Sequence, residues 1–201
     1  MCGGKYGGWK TPRQLTKING EPIVARTIRL LKQAGIEDIA ISTNHEGFDD
    51  LGVEILHHEN DFGISKKSYW LDAFYPTDEE VCYLFGDVVF SKQAIDTIIN
   101  VETDDIQFFA SAPPFAPEYP KRWAEPFAFK VVNQKHFRDA IEDAKMYFNC
   151  GLFRRNPIAW ELWQVIKKTE LNVIDYTNYV VINDKTCDID KEGDINKWQS
   201  I

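Results

Sequence analysis

Apolar residues recur at helical spacing in the first third of the chain. Val24, Ile28 and Leu31 follow an i, i+4, i+7 pattern, which predicts one apolar helix face. Pro22 suits the first turn of this helix, and Gly35 suits the left-handed position that ends it. Later stretches predict further helices at 68–75, after a capping Ser91, and at 134–148, 158–168 and 192–198.

Short apolar runs alternate with these helices. They predict strands at 38–42, 53–56, 81–85, 106–110, 127–132 and 179–182. Strands and helices in alternation indicate an α/β sandwich with a mainly parallel sheet. The aromatic residues Trp160, Trp163 and Tyr147–Phe148 are spaced along helix faces, so we expect them in the core rather than around a ligand.

Length and composition narrow the class of protein. With 201 residues, 44% hydrophobic and 27% charged, the chain is expected to form a single domain over residues 1–201. The net charge of -8 argues against a nucleic-acid partner. No apolar run approaches the roughly 18 residues of a membrane span, so no membrane partner is expected. The scattered cysteines form no C-x-x-C pair and no export signal precedes them, which predicts reduced thiols and a cytoplasmic location.

The N-terminal segment combines glycines with basic residues. Glycine N–H groups can turn toward an anion and the basic side chains add positive charge, so the segment predicts a phosphate cradle. Its residues include Gly3, Gly4, Lys5, Gly7, Gly8, Lys10 and Arg13. The spacing matches neither a P-loop nor a G-x-G-x-x-G fingerprint, and a flexible terminus is the alternative interpretation. Only Met1 and Cys2 precede the loop, so its leading strand is expected to be very short or to begin upstream.

Three aspartates follow predicted strands. Asp87 comes after the strand at 81–85, at the edge where open α/β sheets bind ligands. Asp188 and Asp190 are two positions apart and share one side of an extended segment. Together these carboxylates suit Mg²⁺, which prefers a few carboxylates plus phosphate oxygens of the substrate. Ordinary turn or capping aspartates are the alternative interpretation.

These motifs follow one another in an order that resembles the nucleotidyltransferases of the GT-A-like fold. Relatives include cytidylyltransferases, sugar-phosphate nucleotidylyltransferases and the molybdenum-cofactor guanylyltransferase. After the glycine loop, Pro12-Arg13-Gln14-Leu15 and Ile18-Asn19-Gly20-Glu21-Pro22-Ile23-Val24 resemble the family's proline-lysine pair and helix start. Gly86-Asp87 matches its metal aspartate, and Cys187-Asp188-Ile189-Asp190 followed by Gly193-Asp194-Ile195 resembles its late acidic segment. Arg13 stands where the family usually has lysine, and the family's loop arginine has no clear counterpart.

The resemblance implies a Rossmann-like three-layer sandwich, the GT-A-like nucleotide-diphospho-sugar transferase fold, with a mainly parallel mixed sheet. It implies transfer of a nucleotidyl group from a nucleoside triphosphate, with CTP favoured, to a small phosphorylated acceptor. Pyrophosphate would be released and Mg²⁺ would be the cofactor. The resemblance also allows a homodimer.

Roles for individual residues follow from the same resemblance. Lys5 or Lys10 would hold the β- and γ-phosphates, and Arg13 would stabilise charge at the α-phosphate. Asp87 and Asp190 would ligate the metal, with Asp188 in reserve. Further candidates are Asn44 and Ser68 beside the base, and Lys121, Arg122, Glu125 and Lys185 beside the acceptor.

Two other functions remain open from the sequence. One is a glycosyltransferase on the same fold, although Asp87-Val88-Val89 lacks the D-x-D metal motif such enzymes use. The other is a non-catalytic nucleotide-binding module, which the departures in the loop permit. His57 and His58 are expected at an exposed strand end, because no third residue completes a metal site with them.

Overall fold

Helices and strands alternate along the chain in the computed structural model, which describes residues 1–3, 9–59, 69–112, 124–191 and 193–195. The α-helices among these residues are α1 (Ile23–Gln33), α2 (Lys92–Asn100), α3 (Gln134–Asn149) and α4 (Ala159–Lys167). Short 3-10 helices lie at Arg13–Leu15, Asp49–Leu51 and Trp70–Ala73. In this described part of the chain, no helix has the length and apolar character that crossing a bilayer requires.

The four α-helices confirm the predicted helical segments. Gly35 has a φ of +86° directly after the end of α1, and the Ser91 side chain caps α2 by accepting a hydrogen bond from Ala94 N at 2.9 Å. The helix predicted at 68–75 is confirmed in part, because its described residues include a 3-10 helix at Trp70–Ala73. Pro76 disfavours helical backbone at the residue before it, which limits this segment. Most of the helix predicted at 192–198 lies outside the described residues.

The strands confirm the predicted apolar runs and add short pairs. They are β1 (Lys17–Ile18), β2 (Glu21–Pro22), β3 (Ala40–Thr43), β4 (Glu54–His57), β5 (Val81–Leu84), β6 (Val88–Val89), β7 (Ile106–Ser111), β8 (Pro126–Val131), β9 (Val180–Ile182) and β10 (Cys187–Asp188). Four of them form a sheet in the order β5-β8-β7-β9, while β3 pairs with β4, β1 with β2 and β6 with β10.

The sheet is mixed, as predicted. The prediction that most strands run parallel is wrong for the described strand pairs. Only β3–β4 and β7–β9 run parallel, whereas β8 is antiparallel to both of its neighbours, β5 and β7. The reason is the direction in which the chain returns after β7. Because β8 lies directly beside the strand that precedes it, it runs back alongside β7 and no crossover helix is needed.

Residues 1–3 lie between β3 and β5 and connect the two groups of strands. Cys2 N donates to Ser42 O at 2.7 Å on one side. On the other side, Met1 N donates to Leu84 O at 2.8 Å and Gly86 N donates to Met1 O at 2.8 Å. Met1 thus forms hydrogen bonds to the residues on either side of Phe85, which is the pattern of two parallel strands. Gly3 therefore lies at the carboxyl edge of these strands.

Aromatic rings fill the core between the four-stranded sheet and the helices. The Phe108 ring stacks on Phe129 with centroids 4.5 Å apart and meets Trp160 edge-on at 4.8 Å. Trp160 and Trp163 are each only 2% exposed, and Tyr147–Phe148 pack at the edge of the same core. The prediction that these aromatic residues are structural is confirmed.

Gly86 lies so close to residues 1–3 that we expect a side chain there to be destabilising. A Cβ at this position would overlap Cys2 Sγ and would lie 2.6 Å from Met1 O. Replacing Gly86 by alanine should therefore lower the free energy of unfolding by about 1–3 kcal/mol, as overpacking does, and should displace the adjoining Asp87. Urea denaturation measures the effect. Gly193→Ala is the control, since nothing lies within 4 Å of a Cβ there; equal stability of the two variants would contradict the close packing at Gly86.

Candidate active site

Arg13 lies between two acidic segments. It begins a 3-10 helix directly after Pro12, whose φ is -50°. Its guanidinium contacts Asp87 Oδ2 at 2.9 Å with Nη2 and Asp190 Oδ1 at 3.1 Å with Nη1. Nη1 also donates to Ile189 O at 3.3 Å. The planar fork of arginine makes this double contact possible, and the same fork suits phosphate oxygens.

The pairing of β6 with β10 brings the aspartates together. Val88 is opposite Asp188 in the register, and Ile189 N donates to Asp87 O at 2.9 Å. The carboxylates therefore come from two adjoining strand ends, although about a hundred residues separate them along the chain. A small apolar cluster supports this pairing, and its buried members are Ile18, Ile23, Val89, Cys187 and Ile189.

Glu125 reaches the same region from the start of β8. Its backbone is held by Ser111: Glu125 N donates to Ser111 Oγ at 2.8 Å, and Glu125 O accepts from Ser111 N at 2.9 Å. Trp160 Nε1 donates to the carbonyl of the preceding Ala124 at 2.7 Å. The sheet and α4 therefore fix the position of Glu125, which is 6% exposed.

Glu125, Asp188 and Asp190 form a group that we call the acidic triad. One carboxylate oxygen from each lies within 4.8 Å of the other two. Like charges this close repel one another, and a cation among them relieves the repulsion. Several carboxylate oxygens from separate chain segments are the ligand type that hard divalent cations prefer. The donor set therefore fits a divalent metal ion.

The membership of the acidic triad differs from the predicted metal site. Asp188 and Asp190 lie together, as their spacing predicts. Asp87 contacts Arg13, and the third member of the triad is Glu125, which was expected beside the acceptor. Alternation along one strand predicts the first pair, but only the tertiary fold brings β8 to the same place.

Gly3 and Asn44, which are both predicted to bind the nucleotide, lie together at the carboxyl edge. A Cβ on Gly3 would lie 3.0 Å from Asn44 Oδ1 and 3.1 Å from the His58 ring. His57 is exposed, as expected, but His58 is half-buried. Burial lowers the pKa of His58 below its ordinary value, and the chain-terminal amino group, His45 and His57 add to this lowering against an opposing effect of Asp72.

Two further predicted site residues, Lys10 and Lys185, lie among the described residues. Lys10 is exposed on the segment before Arg13. Lys185 lines a cavity of about 500 Å³ together with Arg26 and Lys92. Lys185 precedes β10, whereas Asp190 follows the other end of this strand. The predictions that fall outside the described residues concern Gly4, Lys5, Gly7, Gly8, Ser68, Lys121 and Arg122.

Two residues for which the sequence predicts no role, Trp9 and Asp194, form hydrogen bonds with the backbone of Asp190. Trp9 Nε1 donates to Asp190 O at 3.3 Å. The Asp194 carboxylate accepts from Asp190 N at 3.2 Å and from Lys191 N at 3.1 Å, and Asp194 is 5% exposed. An aspartate four residues after another acidic residue is a signal for such a side-chain turn, but it is a common one.

Replacing Asp194 by asparagine is expected to disturb the position of Asp190 rather than the fold. Asparagine keeps the size but weakens the acceptor that holds the backbone N–H groups of Asp190 and Lys191. We expect about a 10- to 100-fold loss of metal affinity, with a loss of stability of about 1 kcal/mol. Metal titration of the purified variant measures this. Asp184→Asn is the control, because Asp184 also accepts a hydrogen bond from a backbone group, Thr186 N, at 2.7 Å, and this variant should retain metal affinity. Equal losses of metal affinity in both variants would contradict a specific role of Asp194 in positioning Asp190.

His58 predicts a dependence of stability on pH. Its pKa in the folded protein is below the 6.5 of the unfolded chain, so the unfolded state binds more protons as the pH falls through 6.5. The contribution of neutral His58 to the free energy of unfolding is therefore fully present above about pH 6.5. It decreases as the pH falls, and the decrease ends below the pKa of His58 in the folded protein. Melting temperatures between pH 5 and 7.5 should show this slope, and His58→Asn should reduce it. His57→Asn, at an exposed position, should leave the slope intact, and an unchanged slope in His58→Asn would contradict the assignment.

An arginine and several carboxylates from separate chain segments therefore lie side by side, which suits the binding of a metal-bound phosphate. Residues 1–151 match the family model of the MobA-like NTP transferase domain. The chain therefore belongs to this family. It is similar to the low-salt glycan biosynthesis nucleotidyltransferase Agl11 of Haloferax volcanii, with 27% identity over 106 residues. That match covers 47% of this chain and 29% of the relative.

Proposed function

We propose that this protein is a nucleotidyltransferase that transfers a cytidylyl group from CTP to a small phosphorylated acceptor in a Mg²⁺-dependent reaction. The observation that carries the proposal is the position of Arg13 between Asp87 and Asp190, beside the acidic triad. A cationic fork and several carboxylates side by side suit a substrate that arrives as a metal-bound polyphosphate.

The reaction forms one bond and breaks one. An acceptor phosphate oxygen attacks the α-phosphorus of the nucleotide and forms the new P–O bond. The bond from the α-phosphorus to the oxygen that bridges to the β-phosphate breaks, and pyrophosphate leaves with the electron pair. Because the acceptor oxygen is already anionic, positioning and charge neutralisation supply the catalysis.

Each residue of the site has a role in this proposal. Arg13 stabilises the charge that develops on the α-phosphoryl oxygens, and it is only 24% exposed at its side chain, which strengthens that interaction. Gly3 has no side chain, so the backbone of residue 3 can pack closely against Asn44, beside the nucleotide. Lys10, with Lys5 and the glycines of the loop, holds the outer phosphates.

Glu125, Asp188 and Asp190 would hold the metal ion, with Asp87 close by through Arg13. When bound, a divalent cation polarises phosphoryl oxygens and neutralises part of the triphosphate charge. The net charge of -8 makes such neutralisation necessary for an anionic substrate.

The proposal also specifies the nucleotide base, the extent of the domain and the cell compartment. CTP is favoured because of the resemblance to cytidylyltransferases, with Asn44 and Ser68 beside the base. Residues 1–201 act as one transferase domain of the three-layer GT-A-like type, since Cys187 and Ile189 pack in one cluster with Ile18 and Ile23. A cytoplasmic location agrees with the four cysteines, which are all free thiols.

A nucleotide panel tests the proposal. CTP, UTP, GTP, ATP and dTTP are each added with and without Mg²⁺, and the melting temperature is measured. A nucleotide at 100 times its Kd stabilises the fold by about 2.7 kcal/mol. We expect CTP with Mg²⁺ to give the largest shift and to release pyrophosphate when phosphorylated acceptors are added. A larger shift with another nucleotide would correct the base, and pyrophosphate release without any divalent metal would contradict the role of the acidic triad.

A further inference from the structure

Asp190 belongs to two cation-binding arrangements at once. Its carboxylate accepts from Arg13 Nη1 at 3.1 Å, and it is also a member of the acidic triad with Glu125 and Asp188. Arg13 in turn is held by Asp87 at 2.9 Å through its other terminal nitrogen. A guanidinium charge therefore lies at the edge of the carboxylates that suit a divalent cation.

When two positive groups share one carboxylate, each weakens the binding of the other to it. A divalent cation in the acidic triad is repelled by the guanidinium of Arg13, and it draws on the same negative charge of Asp190. Conversely, Arg13 held by Asp87 and Asp190 is not free to turn toward a phosphate. The Arg13 side chain is 24% exposed and that of Asp190 is 53% exposed, so solvent screens this competition in part.

We propose that Arg13 is an internal counter-ion that competes with the divalent cation for Asp190, so that cation and triphosphate load the site cooperatively. The inference rests on the proposed function for the identity of the ligands. A triphosphate offers Arg13 new anionic partners and thereby releases Asp190 to the cation. A cation at Asp190 releases Arg13 to the triphosphate, and by linkage the two effects are equal in size.

Binding of Mn²⁺ alone tests the first half of this competition. The free Mn²⁺ signal in electron paramagnetic resonance is followed in a titration of the full chain without nucleotide. Arg13→Gln should bind Mn²⁺ about 3- to 30-fold more tightly than the original protein, within the usual range of coupling between two sites. Arg13→Lys keeps the charge but cannot contact both carboxylates with a planar fork, so it should lie between them. Arg29→Gln is the matched control, because Arg29 forms a similar pair with Glu21 at 2.7 Å and should not alter Mn²⁺ affinity.

Inorganic tripolyphosphate in EDTA tests the second half and does not depend on the base. Asp190→Asn should bind it more tightly than the original protein, because Arg13 loses one of its carboxylate partners. Removal of a negative charge alone would also favour an anion, so the double variant Arg13→Gln, Asp190→Asn is included. Most of the gain should disappear in the double variant if it acts through Arg13, and a gain that persists would overturn the inference.

The outcomes separate this inference from the proposed function. Unchanged or weaker Mn²⁺ binding in folded Arg13→Gln and Arg13→Lys, or no Mn²⁺ binding by any of the proteins, overturns the competition. If pyrophosphate release still occurs in that case, the proposed function stands without it. Tighter Mn²⁺ binding in Arg13→Gln supports the competition, and this result is independent of whether any nucleotide turns over.

Discussion

Replacing Asp190 by asparagine is expected to lower kcat/KM for nucleotidyl transfer by about 10³-fold. Asp190 both contacts Arg13 and belongs to the acidic triad, so its charge serves two partners. Loss of a metal interaction removes several kcal/mol of charge stabilisation in the transition state, and each 1.36 kcal/mol is a factor of ten in rate. A continuous pyrophosphate-release assay measures the loss.

The fold should tolerate this substitution. The Asp190 side chain is 53% exposed, and a surface pair contributes about 0–1 kcal/mol, so the melting temperature should change little. Asp139→Asn is the control: Asp139 is 58% exposed and pairs with Lys135 on α3. It should keep full activity. Substantial activity in Asp190→Asn at saturating metal would show that the acidic triad is not the catalytic metal site.

Replacing Arg13 by alanine is expected to lower kcat by about 10²- to 10³-fold. Arg13 contacts both Asp87 and Asp190, and removal of one preorganised group that stabilises transition-state charge has effects of this size. The loss should appear mainly in kcat, because the charge on the α-phosphoryl oxygens develops in the transition state. Steady-state kinetics with varied nucleotide separates kcat from KM.

Two further variants make the result specific to Arg13. Arg13→Lys should recover part of the activity, since the charge remains but the fork that contacts two partners is lost. Arg29→Ala removes an arginine of comparable pairing from the surface of α1 and should leave kcat unchanged. A variant of Arg13 that loses affinity for nucleotide while keeping kcat would contradict a role at the α-phosphate.

Local elements of this fold are predictable from the sequence because their causes are local. The apolar spacing of Val24 and Ile28 agrees with a buried face of α1, and Gly35 takes the left-handed backbone that ends the helix. Ser91 caps α2 for the same kind of reason. The direction of β8 is not predictable in this way, because an apolar run carries no information about whether its neighbour runs parallel or antiparallel.

The site shows the same division between local and tertiary causes. Alternation along an extended segment predicts that Asp188 and Asp190 lie on one side, and a family resemblance links them to Asp87 and Arg13. Glu125 joins Asp188 and Asp190 only because Ser111 and Trp160 hold the start of β8 beside β10. No pattern around Glu125 distinguishes it from an exposed acidic residue, so its burial at 6% exposure is a property of the folded chain.

Transfer of a label from the α-phosphate of CTP is the measurement that tests the central claim most directly. CTP labelled at the α-phosphorus and CTP labelled at the γ-phosphorus are incubated separately with Mg²⁺, the protein and a set of small phosphorylated acceptors. We predict that the α-label moves to an acceptor while the γ-label leaves as pyrophosphate, in equal amounts, and that both processes are about 10³-fold slower in Asp190→Asn. A γ-label released as inorganic phosphate, or an α-label that remains in free nucleotide with every acceptor and every nucleoside triphosphate, would contradict nucleotidyl transfer at this site.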